Sequence, residues 1–172
     1  AVTLDGRPIL DASPLSLTLD NGTTWGIAPR VTGVSRTSVD TAIPSPFYRS
    51  AEVRDRYNGL TLKMRGDWSV EFRAYDDGVA YRFVSRAKKP FNIVPADCAV
   101  TVPYVRDHAG NIDAQWRNSF ENTYTETTLS KLDAGRLIFL PLVVDAGDGV
   151  KVCITETDLN DYPGMYLWNG DG

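Results

Sequence analysis

The chain has 172 residues, 42% of them hydrophobic and 23% charged, with a formal net charge of −4. That length suits one ordinary domain with a substantial core. The mild acidity argues against nucleic acid and anionic membranes, which attract basic patches, and no apolar run approaches the roughly 20 residues that span a bilayer.

Alternation with period two dominates the chain. "LSLTL" (15–19) is apolar at Leu15, Leu17 and Leu19. "TAIPSPFYRS" (41–50), with two prolines, reads as irregular. "LTLKM" (60–64) alternates at Leu60, Leu62 and Met64. "WSVEFRAY" (68–75) puts Trp68, Val70, Phe72 and Ala74 on one face, and "VAYRFV" (79–84) does the same with Val79, Tyr81 and Phe83. "LIFLPLVV" (137–144) is nearly continuous, as in a strand buried on both faces. "VKVCIT" (150–155) alternates again. Asp5-Gly6, Asn21-Gly22, Asp77-Gly78 and Gly147-Asp148-Gly149 punctuate these runs as turns. No segment keeps a helical spacing over three turns. The pattern predicts an all-β fold, an antiparallel β-sandwich.

One register follows from charge. Placing the apolar sets of 68–75 and 79–84 on one side requires paired residue numbers with an odd sum. A two-residue Asp77-Gly78 loop sets Arg73 opposite Arg82, two like charges. A four-residue loop, Tyr75 to Gly78, sets Glu71 opposite Arg82 instead, and is the register expected.

Few residues suggest chemistry. Cys98 and Cys153 fit two buried thiols as well as one disulfide. The single histidine, His108, sits in the polar, glycine-containing "VRDHAGN", which reads as a loop without a nucleophile motif. With 22 acidic residues, no carboxylate pair stands out as a glycosidase pair. Trp25, Trp116, Tyr124, Tyr162, Tyr166 and Trp168 lie outside the clearest inward sets. Such rings either fill a core or stack on sugars.

The most informative stretch is "ITETDLNDYPGMYLW" (154–168), with Glu156, Asp158 and Asp161. If the strand runs on past Thr155, Glu156 follows Val150, Val152 and Ile154 on the inward side. A buried carboxylate needs a cation or hydrogen-bond donors. If the strand ends at Thr155, Glu156 is solvated, and spacing by itself favours that. The acidic run is no EF-hand loop, and "DLNDYPG" is also good turn chemistry.

"SVEFRAYDDGVAYRF" (69–83), "SFENTYTET" (119–127), "LPLVVDAGDGVKVCITETDLNDYPGMYL" (140–167) and "SPLSLTLDNG" (13–22) together resemble the N-terminal domain of glycoside hydrolase family 97. That family holds bacterial α-glucosidases and α-galactosidases. The resemblance implies a β-sandwich of the galactose-mutarotase-like supersandwich type, spanning 1–172 as the N-terminal domain or most of it. A (β/α)₈ barrel carrying the catalytic carboxylates would follow, too large to fit in this chain. It implies a calcium ion at the parent's active site, with Glu156 as the ligand from this domain. An α-linked oligosaccharide substrate, the downstream barrel as partner, and periplasmic or secreted residence are implied likewise. The chain alone is then expected to be inactive and to bind calcium weakly or not at all. Both inverting and retaining members occur, and the deciding residues lie elsewhere.

Two other readings stand beside this one. One is a free-standing carbohydrate-binding β-sandwich, the other an adhesion-type structural module. The start at Ala1 and the end in "WNGDG" read as cuts in a longer protein, the second falling before the sandwich is complete. The segment Tyr162–Trp168 is then expected to leave an apolar patch that promotes association.

Overall fold

The computed structural model describes residues 1–47, 49–94, 107–111, 124–132, 134, 136–157 and 164–169. Among these, strands dominate, and the helical element is a single 3₁₀ turn at Leu129–Lys131. The described residues include no helix long and apolar enough to cross a membrane. The chain divides into two compact units. One comprises Leu15–Asp97, and the other comprises Ala1–Pro14 with Cys98–Gly172.

The Leu15–Asp97 unit holds two antiparallel sheets. Strands β3 (Leu17–Leu19), β4 (Thr24–Trp25) and β9 (Ile93–Val94) form the smaller, in the order β4-β3-β9. Strands β5 (Val31–Pro44), β6 (Glu52–Met64), β7 (Trp68–Ala74) and β8 (Val79–Ser85) form the larger, each beside the next. Leu17, Leu19 and Trp25 of the first pack with Trp68, Val70 and Phe83 of the second. The Trp25 and Trp68 rings stack with centroids 5.3 Å apart and planes 4° off parallel. Phe91 meets Trp25 edge-on at 5.5 Å. Burying large rings supplies most of this core's hydrophobic stabilisation.

The β7–β8 register is the one that charge dictates. Glu71 lies opposite Arg82, and Arg82 Nε donates to Glu71 Oε2 at 2.9 Å. The Tyr75 amide donates to the Gly78 carbonyl at 2.8 Å, closing the four-residue loop. The expected inward faces are only half right. Trp68, Val70 and Phe83 are buried, whereas Ala74, Val79 and Tyr81, at the loop end of the same face, are exposed. The described packing covers one end of the hairpin and leaves the other open.

The segment 41–50 also departs from expectation. Thr41–Pro44 belong to β5, and Ser45, whose amide donates to the Ala51 carbonyl, begins the turn into β6. Strands β5 and β6 run far beyond the alternating "LTLKM". Nearly all of β5 is exposed, so no alternation marks it.

In the other unit, β1 (Val2–Leu4) and β2 (Arg7–Leu10) form a hairpin. Asp5 and Gly6 both take positive φ, 50° and 81°, as the two-residue turn between right-twisted strands requires. A separate five-stranded sheet holds β10 (Asp107–Asn111), β11 (Thr125–Thr127), β12 (Arg136–Asp145), β13 (Lys151–Ile154) and β14 (Leu167–Asn169). Strand β12 is the hub and pairs with β10, β13 and β14. Ile138, Leu142 and Val144 on one face are buried, whereas the other face is buried at Phe139, half-buried at Val143 and exposed at Pro141, so the burial on both faces expected for 137–144 is only partly met. Pro141 has no amide to donate, and the register irregularity between Ala109 and Asn111 of β10 falls opposite it. His108, expected in a loop, lies on strand β10, paired with Thr127 and Val144.

Candidate functional site

The acidic stretch begins where β12 turns back into β13. Asp145 shapes that turn. Its Oδ1 accepts the Gly147 amide at 2.8 Å, and its Oδ2 meets Lys151 Nζ at 3.0 Å. Arg7 reaches in from β2 and donates to the Ala146 carbonyl at 2.6 Å. It also pairs with Asp148 at 3.2 Å. The turn is therefore held at both ends, and β13 leaves it in a fixed direction.

Along 151–157 burial alternates strictly. Val152, Ile154 and Glu156 are half-buried, while Lys151, Cys153, Thr155 and Thr157 are exposed. Val152 and Ile154 pack against the Ile138, Leu142 and Val144 core. Pairing with β12 stops at Ile154, yet the alternation carries Glu156 to the same side. Both readings of the sequence were partly right: the ladder ends early, and the carboxylate still turns inward.

Glu156 also has a donor. The Met165 amide donates to its Oε2 at 2.6 Å, a charge-assisted bond of the short, strong kind. Met165 leads into β14, where Leu167 pairs with Ile138 of β12. The carboxylate thus ties the returning chain beside the end of β13. Asp158, Asp161 and Tyr162 lie outside the described residues, as do Cys98 and Trp116. Cys153 carries a free, exposed thiol.

A calcium site wants six to eight oxygen ligands. Among the described residues no group of three or more His, Cys, Asp or Glu side chains could hold a metal ion. Glu156 is a donor of the right hardness but contributes one carboxylate, with one oxygen already engaged. The described residues do not make a calcium site by themselves.

The rings divide. Trp25 is core, and Tyr166 packs on Phe139 with centroids 5.0 Å apart. Tyr124 and Trp168 are exposed, at 61% and 64%. Around Trp168, Met165, Tyr166 and Leu167 are half-buried rather than open. One aromatic cluster lay outside the sequence reading. Tyr57 of β6 and Tyr75, at the start of the β7–β8 loop, sit 5.3 Å apart, and the Arg73 guanidinium lies 4.5 Å over the Tyr57 ring. Tyr75 Oη donates to Asp55 Oδ1 at 3.4 Å. No sequence spacing announces such a cluster, because its members come from β6, β7 and the loop after β7.

All 172 residues match the family described as Glycosyl-hydrolase 97 N-terminal. This chain belongs to glycoside hydrolase family 97. It is 58% identical over 180 aligned residues to the retaining alpha-galactosidase of Bacteroides thetaiotaomicron, covering 99% of this chain and 27% of that protein. Among solved structures it resembles the family 97 enzyme of Pseudoalteromonas sp. strain K8, solved in complex with acarbose. The TM-score is 0.81 at 24% identity, over 94% of this chain and 26% of that one. A beta-arabinopyranosidase structure matches with TM-score 0.80 at 22% identity, over 96% of this chain and 29% of that one. At these identities the likeness establishes the fold, and the antiparallel β-sandwich expected from the strand pattern is that of the family 97 N-terminal domain. The chain spans about a quarter of the length of these relatives.

Proposed function

We propose that this chain is the non-catalytic N-terminal domain of a family 97 α-glycosidase that acts on α-linked galactosides. The 58% identity to a retaining alpha-galactosidase, across 99% of the chain, carries this reading. The catalytic groups then lie in the part of the parent chain that corresponds to the remainder of that relative. The domain buttresses the downstream barrel. Glu156, tied beyond the end of β13 by the Met165 amide on its Oε2, supplies one ligand to a calcium ion completed from elsewhere in the parent. Periplasmic or secreted residence goes with this role, and cell fractionation tests it.

The test uses the parent chain as wild type, Glu156→Gln and Glu156→Ala, with hydrolysis of α-galactosides and α-glucosides followed against calcium. The wild type should prefer α-galactosides. Glu156→Gln keeps an oxygen for the Met165 amide but loses the charge, and should need at least about tenfold more calcium. A Gln variant identical to wild type at every calcium level would leave Glu156 as a brace for Met165 and remove it from the metal site. The competing reading, a free-standing carbohydrate-binding module, rests on the exposed Tyr124 and Trp168 rings. It predicts oligosaccharide binding by residues 1–172 that Trp168→Ala abolishes in calorimetry.

A further inference from the structure

The outer part of the β5–β6 hairpin stands clear of its sheet. Strand β6 pairs with β7 only from Asn58 to Lys63. From Tyr57 to Glu52 its partner is β5 alone, through six pairs from Val39↔Tyr57 to Pro44↔Glu52. These six pairs make an arm roughly 20 Å long at the usual rise per residue.

Its two faces differ. Directly paired residues share a face and successive residues alternate. One face carries Asp40/Arg56, Ala42/Arg54 and Pro44/Glu52. Both of its arginines are paired locally: Arg54 donates twice to Asp40, at 2.9 and 2.8 Å, and Arg56 pairs with Asp76 at 3.0 Å. The other face carries Val39/Tyr57, Thr41/Asp55 and Ile43/Val53. Ile43 and Val53 lie opposite each other, each 49% exposed. Phe47, in the turn at the tip, is 95% exposed.

A two-stranded ribbon is marginal in water unless something covers its apolar side. At the base of this face Val39 and Tyr57 are half-buried and the Tyr57 ring is already covered by Tyr75 and Arg73. We propose that its outer end, Ile43, Val53 and Phe47, forms a docking arm, covered by the part of the same polypeptide that lies outside residues 1–172. The proposal rests on the reading of this chain as one domain of a longer enzyme. The relatives supply the length, since about three quarters of each lies outside the matched region. A second copy suits the arm less well. A stable interface between separate molecules buries about 800 Å² per partner, and this strip offers only a few side chains. A tethered partner needs far less area, because its effective concentration is high.

The test is site-specific photo-cross-linking in the full-length parent. The probe p-benzoylphenylalanine is placed at Val53 and, as a control on the charged face, at Ala42, in a mixture of light- and heavy-isotope protein. Val53 should cross-link within one molecule to peptides outside residues 1–172, and Ala42 should not. Cross-links joining light to heavy copies, cross-links confined to 1–172, or none from Val53 overturn the proposal. A second readout avoids the bulky probe. Ile43→Thr with Val53→Thr should speed amide exchange across 39–57 by about tenfold and leave β7 and β8 unchanged. Unchanged exchange in the arm counts against docking. Activity separates the two readings. A parent inactive on every α-glycoside, but cross-linked from Val53 to its own outside chain, sinks the enzymatic reading and keeps the arm. An active parent without that cross-link does the reverse.

Discussion

Two hairpins share strand neighbours in one sheet and differ in nearly every physical respect. The β7–β8 hairpin has one end clamped in an aromatic core and an ion pair across its middle. The outer β5–β6 arm has six backbone pairs to the hairpin's seven but little described packing, and surface ion pairs on one side only. Backbone pairing is therefore common to both, and what distinguishes them is burial. Ladder hydrogen bonds exchange for bonds to water at modest net gain. The hairpin is anchored by what its side chains exclude from water, and the arm has that anchorage still to find.

The sharpest way to test this contrast is to empty the core beneath the hairpin. Trp25→Ala removes the ring stacked on Trp68 and should cost about 3–5 kcal/mol in urea denaturation. A loss under 1 kcal/mol would mean that the aromatic core is not what anchors β7–β8. Next comes the turn that delivers Trp25. Gly26 has φ of 95°, and a Cβ there would strike the Leu15 carbonyl oxygen. Gly26→Ala should cost about 2–4 kcal/mol by the same measurement, from strained backbone and a clash with main chain.

A gentler probe compares the ion pairs of the two hairpins. A double-mutant cycle on Glu71 and Arg82 should give a coupling of about 0.2–1 kcal/mol that shrinks in high salt, since both side chains are partly exposed. A coupling unaffected by salt would show a drier site than the geometry implies. On the arm, hydrogen bonds from Arg54 hold the Asp40 carboxyl below its ordinary pKa. A depressed folded-state value means that the pair's contribution is present above the unfolded pKa and fades as pH falls through the folded one. An NMR titration of Asp40 should show the low value in wild type and its return upward in Arg54→Gln.

The same contrast explains what could be read from sequence. Alternation records burial on one face. The β7–β8 strands, β12 and β13 were legible because their side chains meet a core, and Glu71 with Arg82 fixed a register by charge alone. Strand β5 was invisible because almost none of it is buried. Glu156 stood out because it continues the inward set after Ile154. Its donor, the Met165 amide, could not be foreseen, since it lies nine residues on and carries no side-chain signal. The Tyr57, Tyr75, Arg73 and Asp55 cluster was likewise hidden, spread over β6, β7 and the loop that follows.

By itself the sequence determined an antiparallel β fold, its turns and one hairpin register. Each of these is local, set by the two-residue period, by turn conformations or by charges facing each other across one loop. Only the tertiary structure decided which end of each face is covered, where the arm leaves its sheet, and which backbone group Glu156 holds. Those depend on contacts between residues far apart in the chain, and no local pattern encodes where a distant strand will end.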